Sequence, residues 1–331
     1  MPRATPTVAV LCAEHRPPGM GAVEAAGEVR YVTAEGLPDA LRGADVLFVW
    51  DFLSTAVANA WPSADRLRWV HIASAGVDRL LFPELVRSPV VLTNSRGVFD
   101  RPIAEYVLAL VLAFAKDLPA TLDLQRERTW RHRETERIDG RRVLVVGTGP
   151  IGRAIGRLLS AAGMTVTGVG RSARPADPDL GQVHASTELG SLLPQVDYVL
   201  VAAPLTEETR GMFDAAAFER MRPSARLINV ARGPLVVEED LVAALHKGQI
   251  AGAALDVFAA EPLPPDHPLW TAPNVIISPH MSGDFVGWLD VLARLFARNF
   301  RRWLAGDELL NVVDKHLGYV ARPAPGGKEV R

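Results

Sequence analysis

The sequence of 331 residues contains a single cysteine, Cys12. One cysteine cannot form an intrachain disulfide, and it cannot supply a cysteine cluster of the kind that holds zinc. Cys12 lies inside the apolar run 8–13, and free cysteine is among the residue types most often buried. We therefore predict that this thiol packs in a core and is not a nucleophile.

Long apolar runs are also absent. The longest purely apolar stretch, Tyr106 to Ala115, falls well short of the ~20 residues needed to cross a bilayer. The early run 8–13 is too short for the core of a signal peptide, and charged residues follow it at once. The formal net charge of -2 lacks the basic excess typical of nucleic-acid-binding proteins. These absences predict a cytoplasmic protein that binds neither membrane nor nucleic acid.

Short apolar segments alternate with helix-like segments along the chain. The length is twice the ~150 residues expected of one domain, and several of the segments are uniformly apolar, as in parallel sheets covered on both faces. This alternation predicts an α/β protein with two doubly wound parallel sheets. We predict eleven strands, at 8–13, 30–33, 46–50, 69–73, 90–93, 143–146, 165–169, 198–201, 227–230, 253–257 and 275–277.

The predicted strands fall into two groups. Five precede a helical segment at 101–118, and a charged stretch, 126–142, then reads as a solvated connection to the second group. An amphipathic helix at 285–304 would return the chain to the first domain. We therefore predict one domain from 1–98 plus 284–331 and a second from 99–283, with a disordered tail at 322–331.

A glycine-rich turn opens the second group of strands. The buried strand 143–146 runs into Gly147-x-Gly149-x-x-Gly152, and a helix pattern follows directly. Gly147 permits the tight turn, Gly149 lets the backbone approach a pyrophosphate, and Gly152 lets helix and strand pack closely. The helix N-terminus then offers unpaired N–H groups to phosphate. Because strand, turn and helix stand in the required order, we predict a dinucleotide site.

The end of the next strand bears on cofactor choice. An NAD site usually has an acidic residue there that holds the ribose hydroxyls, whereas this strand ends without one. The nearest acids, Asp177 and Asp179, lie beyond a proline. Arg171, Ser172 and Arg174 are suited to a 2′-phosphate, because guanidinium pairs well with phosphate. We predict that NADP(H) is preferred; the alternative is that these arginines are solvated and NAD(H) binds without the acid.

Three later strands each deliver one ionisable side chain to their carboxyl ends. These side chains are Arg232, Glu261 and His280. In open α/β sheets, ligands bind at this edge. Arginine can hold a substrate carboxylate and polarise the neighbouring carbonyl, and histidine can protonate the oxygen as a hydride reaches the carbon. A carboxylate beside the histidine would orient it and favour its charged form.

The chain resembles the D-isomer-specific 2-hydroxyacid dehydrogenases over about residues 45–315, and within them most closely the glyoxylate/hydroxypyruvate reductases. The resemblance rests on many short segments. They are 74–78 (SAGVD), 94–98 (NSRGV), 104–105 (AE), 146–152 (VGTGPIG), 204–206 (PLT), 209–212 (TRGM), 229–233 (NVARG), 255–258 (LDVF), 261–263 (EPL) and 279–280 (PH).

This resemblance implies a 2-hydroxyacid dehydrogenase, and with the cofactor preference predicted above it would work as an NADPH-dependent 2-oxoacid reductase. It implies a flavodoxin-like substrate domain and a Rossmann dinucleotide-binding domain with a cleft between them, and a homodimer. Arg232 would bind the carboxylate and carbonyl of a small 2-oxo acid, His280 would be the acid/base, and Glu261 its partner. The loop formed by Ser74, Ala75, Gly76 and Val77 would hold the substrate carboxylate.

The resemblance also implies a set of cofactor contacts. Asp256 would contact the nicotinamide carboxamide. Together with the glycine-rich turn and the strand end discussed above, the full set of predicted cofactor contacts is Gly147, Thr148, Gly149, Pro150, Ile151, Gly152, Arg171, Ser172, Arg174, Ala203, Pro204, Thr209, Val230, Ala231, Asp256, His280 and Ser282.

Two departures from the family pattern affect the substrate side. Ser74 stands where glycine is commoner, and Asn94-Ser95-Arg96 replaces the commoner Asn-Thr-Pro. Two other functions stay open. One is formate or phosphite oxidation, although formate enzymes pair their histidine with glutamine where this chain has Glu261. The other is a dinucleotide-sensing binding protein of the corepressor type, which the near-neutral charge disfavours.

Overall fold

The computed structural model describes residues 5–321, so the predicted disordered tail lies outside the described residues. The chain divides into two compact units, each with its own sheet. One unit holds the described residues up to Val98 and those from Phe285 onward; the other is Phe99–Asp284. The predicted class, α/β with two doubly wound parallel sheets, is confirmed.

The first unit is a five-stranded parallel sheet in the order β2-β1-β3-β4-β5, the flavodoxin-like order that was predicted. Its strands are β1 (Thr7–Leu11), β2 (Glu28–Val32), β3 (Val46–Val49), β4 (Trp69–Ile72) and β5 (Val91–Thr93). Its helices are α1 (Gly21–Glu24), α2 (Leu37–Leu41), α3 (Ala56–Ala60), α4 (Pro83–Arg87) and the long final helix, α11 (Trp288–Ala305).

Aromatic stacking holds α11 on this sheet. Phe296 of α11 stacks on Phe48 with ring centroids 4.0 Å apart and on Trp69 at 5.3 Å. All residues of β1, β3 and β4 are buried, which explains why their sequences are mostly apolar. Cys12 is buried as predicted, and this burial raises the pKa of its thiol to about 11.

The second unit is an eight-stranded sheet in the order β13-β12-β11-β10-β6-β7-β9-β8. Its strands are β6 (Arg142–Val146), β7 (Thr165–Gly170), β8 (Arg174–Asp177), β9 (Gly181–Ala185), β10 (Tyr198–Val201), β11 (Arg226–Asn229), β12 (Gly252–Leu255) and β13 (Val275–Ile277). Its helices are α5 (Asp100–Ala115), α6 (Leu118–Arg126), α7 (Pro150–Ala161), α8 (Leu189–Leu192), α9 (Ala215–Arg220) and α10 (Glu238–His246). The strand order reverses between β6 and β10, where such sheets bind ligands.

Two features of this unit differ from the sequence prediction. The strands β8 and β9 were not predicted, because they are short and largely polar and lie at one edge of the sheet. The predicted helix 101–118 corresponds to α5, which ends at Ala115, and the helix α6 that follows was not predicted; Asp117, in a left-handed conformation (φ 49°), separates the two.

The charged stretch after α6 contains no helix or strand between 127 and 141, as expected of a connection. It is more than a solvated loop, however. Glu136 accepts hydrogen bonds from Arg226 at 2.7 and 3.2 Å, and Arg133 pairs with Asp117 at 2.7 Å. Within residues 5–321, no helix is both long and apolar enough to span a membrane.

Candidate active site

Adjacent parallel strands bring the predicted catalytic residues to one edge of the second sheet. Strands β11, β12 and β13 are neighbours and run in the same direction. Arg232 follows β11, Glu261 lies in the loop after β12, and His280 follows β13. Their shared edge is the carboxyl end of the sheet, as the sequence predicted from the strand pattern.

The glycine-rich turn after β6 has the geometry of a phosphate cradle. Gly147 has a φ of 115°, and a Cβ there would lie 2.5 Å from the Ala202 carbonyl carbon. A Cβ on Gly152 would lie 1.9 Å from the Gly147 oxygen, so both positions require glycine. At Gly149, by contrast, no described atom lies within 4 Å of a Cβ. That open backbone caps α7, whose first residues are Pro150 and Ile151, and it fits a dinucleotide pyrophosphate.

The segment after β7 lies beside this turn. A Cβ on Gly170 would be 2.9 Å from the Thr148 hydroxyl, so the two loops are in close contact. Arg171 and Ser172 follow directly and are exposed. Arg174 donates through Nε to Asp177 at 3.2 Å, and its buried Nη2 has no hydrogen-bond partner among the described residues. A basic segment with a buried donor left over fits an additional phosphate group.

Five further predicted cofactor contacts lie in the loops after β10 and β11. The Thr209 hydroxyl donates to the Pro204 carbonyl at 2.7 Å, and the Ala231 amide donates to the Asn229 side chain at 3.0 Å. Ala203 and Val230 are buried. Their contacts with a cofactor stay predictions.

Close backbone packing positions Arg232. A Cβ on Gly233 would lie 1.9 Å from the Phe258 carbonyl carbon, so only glycine allows the loop after β11 to rest on the loop after β12. Asn229 donates through Nδ2 to the Arg232 carbonyl at 3.0 Å, and Arg232 donates through Nη1 to the Ala231 carbonyl at 2.8 Å. The charge of Arg232 is thereby placed close enough to act on Glu261.

His280 and Glu261 form a hydrogen-bonded pair. His280 Nδ1 lies 2.9 Å from Glu261 Oε2, and the Phe258 amide donates to Oε1 at 3.0 Å. Burial raises the pKa of Glu261, but the hydrogen bonds from His280 and Phe258, with the nearby charges of His280 and Arg232, outweigh it and lower that pKa below its usual range. An ionised Glu261 accepts a hydrogen bond from Nδ1–H, which leaves Nε2 as the ring nitrogen outside this pair.

Asp256 has a role that the sequence did not predict. Its fully buried carboxylate accepts hydrogen bonds from the Ser278 hydroxyl at 2.6 Å and from the Met281 and Ser282 amides, each at 2.9 Å. These donors flank His280, which has a left-handed φ of 53°. Such a conformation is disfavoured for a side chain with a Cβ, so Asp256 stabilises the loop that presents His280. Its contact with nicotinamide stays a prediction.

Asp284 is a carboxylate near His280 that was not among the predicted site residues. It lies four positions after His280, and although the residue is exposed overall, partial burial of its carboxyl group raises its pKa to about 6. The charge of Asp256 adds to this rise, and that of His280 opposes it. The only sequence signal was an acid closely following the histidine.

The predicted substrate loop belongs to the first unit. The Ser74 hydroxyl donates to the Gly76 carbonyl at 2.6 Å, and Asn94 donates to the Ala75 carbonyl at 2.6 Å. The Ser95 amide donates to the Ser74 carbonyl at 2.8 Å. The two segments that depart from the family pattern are thus bonded to each other. Binding of a substrate by the amides of Ala75, Gly76 and Val77 stays a prediction.

Comparisons with known proteins agree with this geometry. The family model "D-isomer specific 2-hydroxyacid dehydrogenase, NAD binding domain" matches residues 108–282. A glyoxylate reductase of Thermococcus gammatolerans is 31% identical over 312 residues, which cover 91% of this chain and 92% of that protein.

Two solved structures are also similar. A D-isomer specific 2-hydroxyacid dehydrogenase from Xanthobacter autotrophicus, in complex with NADPH and MES, is 32% identical with a TM-score of 0.81, covering 96% of this chain and 100% of that one. An NADPH-dependent glyoxylate/hydroxypyruvate reductase from Sinorhizobium meliloti, in complex with NADP and sulfate, is 27% identical with a TM-score of 0.82, covering 95% and 100%. The chain therefore belongs to the D-isomer specific 2-hydroxyacid dehydrogenases, a family of oxidoreductases with an NAD(P)-binding domain.

Proposed function

We propose that the protein reduces a small 2-oxo acid of the glyoxylate or hydroxypyruvate type to the D-2-hydroxy acid, using NADPH. The observation that carries the proposal is the His280–Glu261 pair, 2.9 Å apart, with Arg232 on the neighbouring strand end. The relatives named glyoxylate reductase and glyoxylate/hydroxypyruvate reductase support this substrate class.

In this mechanism, Arg232 binds the substrate carboxylate and polarises the adjacent carbonyl. When bound, the reduced nicotinamide supplies the hydride. His280 gives the proton on Nε2 to the carbonyl oxygen, and Glu261 stabilises the charged imidazole before that transfer. In the reverse direction, neutral His280 takes the hydroxyl proton of the D-2-hydroxy acid. The amides of Ala75, Gly76 and Val77 add donors for the substrate carboxylate.

A preference for NADP(H) over NAD(H) is also part of the proposal. The absence of an acid at the end of β7 supports it, as do Arg171, Ser172 and Arg174 in the segment that follows. The NADPH and NADP named with the two similar structures are consistent with it.

The test is the loss of absorbance at 340 nm with NADPH, and separately with NADH, against glyoxylate, hydroxypyruvate, pyruvate and phenylpyruvate. We expect turnover with glyoxylate or hydroxypyruvate and a higher kcat/KM for NADPH. Turnover with NADH alone would support the proposed reaction but contradict the proposed preference for NADPH. If folded protein that binds NADPH shows no turnover with any of the four acids, the result would contradict the proposed reductase activity and favour a dinucleotide-sensing role.

We also propose that the protein is a homodimer, in keeping with the sequence prediction. The apolar face of α5 does not support this, because Ile103, Val107 and Val111 are buried within the second unit. The homodimer is supported instead by exposed apolar side chains on and after α6. Leu118 and Leu122 are about half exposed, and Trp130 is fully exposed. Sedimentation of the wild type and of Trp130→Ser would test this assembly. The cytoplasmic location stays a prediction.

A further inference from the structure

A network of arginines and aspartates surrounds the turn between β8 and β9. Asp177 lies at its centre, with its side chain only 3% exposed. Arg153 of α7 donates to Asp177 Oδ1 at 2.8 Å and to Oδ2 at 2.5 Å. Arg174 donates to the same Oδ2 at 3.2 Å, and the Asp179 amide donates to Oδ1 at 3.1 Å. One carboxylate thus binds two guanidinium groups from different elements.

The turn is fixed directly onto α7. Arg153 and Arg157 lie one helical turn apart and hold Asp179 at 2.9 and 3.0 Å. Between them, a Cβ on Gly156 would lie 2.3 Å from the Asp179 carbonyl oxygen, so only glycine permits this approach. Because α7 begins at the glycine-rich turn, its arginines fix the β8–β9 turn relative to the phosphate cradle.

The charges within the network favour an added anion. Burial raises the pKa of Asp177, but hydrogen bonds from Arg153 and the Asp179 amide, with the charges of Arg153 and Arg174, lower it below its usual range, so Asp177 is ionised. The three arginines exceed the two aspartates by one positive charge, and Arg171 lies close by in the chain. Arg174 keeps one buried N–H group, Nη2, without a hydrogen-bond partner in the described part of the chain.

We propose that Asp177 is a positioning residue for cofactor selection: by holding Arg174 through Nε against the α7 network, it presents the remaining guanidinium edge to the 2′-phosphate of NADP(H). This inference rests on the proposed use of NADP(H). In this proposal the carboxylate of Asp177 strengthens phosphate binding, although both groups are negatively charged. A purely long-range charge effect would have the opposite sign, because removing a negative charge near a phosphate strengthens its binding.

The test is calorimetric binding of 2′,5′-ADP and 5′-AMP, which differ only in the 2′-phosphate, to the full chain. The variants are Asp177→Asn and the matched control Asp179→Asn, which loses the same charge in the same turn but does not contact Arg174. We expect the wild type to bind 2′,5′-ADP more tightly. Asp177→Asn should reduce that preference ~10-fold or more, as expected for a lost charge-assisted contact. Asp179→Asn should keep it within ~2-fold or increase it.

The outcomes separate the two proposals. A wild type with no preference for 2′,5′-ADP contradicts the use of NADP(H) itself. A wild type with the preference, together with an Asp177→Asn variant that keeps or increases it, contradicts only the positioning role. Retained 5′-AMP binding shows that the variant is folded. If Asp177→Asn does not fold, Arg174→Lys replaces it: this variant keeps the charge but loses the planar fork, and we expect the same loss of preference.

Discussion

The imidazole of His280 is held through Nδ1 by Glu261, while the loop that carries it is held by Asp256. The two carboxylates position His280 in different ways. Glu261 accepts the hydrogen bond of one ring nitrogen, and Asp256 stabilises a backbone conformation that a residue with a Cβ rarely adopts. The proposed acid/base chemistry therefore depends on both.

Glu261→Gln should slow catalysis. Glutamine still accepts the Nδ1 hydrogen bond, but it no longer stabilises a positive charge on His280. Reduction needs the protonated imidazole, so kcat should fall ~10- to 100-fold. The measurement is steady-state kcat for reduction at saturating NADPH.

The matched control for that experiment is Glu188→Gln. Glu188 pairs with His184 at 3.1 Å in the same unit, so it is a second glutamate–histidine pair outside the predicted catalytic set. Its variant should keep the wild-type kcat. An unchanged kcat in Glu261→Gln would contradict the role of Glu261.

Arg232→Ala should lower kcat for reduction by ~10²–10³, by analogy with the loss of a donor that stabilises developing charge. Arg232→Lys should recover only part of this loss, because lysine keeps the charge but lacks the paired donors. Steady-state kinetics with glyoxylate measures both, and quenching of NADPH fluorescence checks that the cofactor still binds. Near-wild-type turnover in Arg232→Ala would rule out its assignment to the substrate carboxylate.

At the scale of the elements, the sequence predicted the strands whose positions are set by burial. All eleven predicted strands are present, each within two residues of its expected ends, because buried parallel strands are rich in apolar residues. The edge strands β8 and β9 were missed because RPAD and GQVHA lack that signal. The helix α6 was missed because the predicted helix was ended at Pro119, which instead lies in the first turn of α6, where proline is tolerated.

The strand pattern also predicted that Arg232, Glu261 and His280 follow neighbouring strands. It could not predict the bonds that hold them. Asp256 contacts groups 22 to 26 residues away, and Arg153 contacts Asp177 across 24 residues. Such contacts depend on how closely two loops approach, which is set by glycines such as Gly233 and Gly156 whose packing is visible only in three dimensions.

The ammonium group of Lys315 holds the C-terminal end of α4 through three hydrogen bonds. Its Nζ donates to the carbonyls of Leu85, Ser88 and Val90 at 3.0, 2.5 and 3.0 Å, at the C-terminal end of α4. Lys315→Met leaves these carbonyls without that donor, and we expect a loss of ~1–3 kcal/mol in the free energy of unfolding. Urea unfolding measures it, with Lys247→Met, at an exposed position, as the control. Equal stability of the two variants would contradict this role.

At the scale of the whole molecule, each sheet has its own apolar core. The stability of each unit therefore depends on pH through the titratable residues of its own core. His71 lies at the centre of the first unit, fully buried, with Nδ1 2.8 Å from the Thr93 hydroxyl and its ring beside Phe48 and Phe296. Burial lowers the pKa of His71 to about 3. The folded unit therefore holds this imidazole neutral, whereas the unfolded chain protonates it below its ordinary pKa.

Acid should therefore destabilise the first unit. The stability that neutral His71 contributes is complete above its unfolded pKa and is lost as the pH falls toward its folded pKa, because the unfolded state binds the extra proton. Between pH 7 and pH 5 this loss amounts to about 2 kcal/mol. Urea unfolding followed by tryptophan fluorescence measures it. A His71→Gln variant lacks the effect, so a variant as acid-sensitive as the wild type would argue against His71 as the cause.

The central claim is that His280 transfers the proton in a reaction between NADPH and a 2-oxo acid. The most direct measurement is the rate of absorbance loss at 340 nm with NADPH and glyoxylate or hydroxypyruvate, for the wild type and for His280→Gln side by side at equal cofactor occupancy. We predict turnover by the wild type and a rate at least ~10²-fold lower for the variant. A His280→Gln protein that binds NADPH and reduces the acid at the wild-type rate would contradict the account.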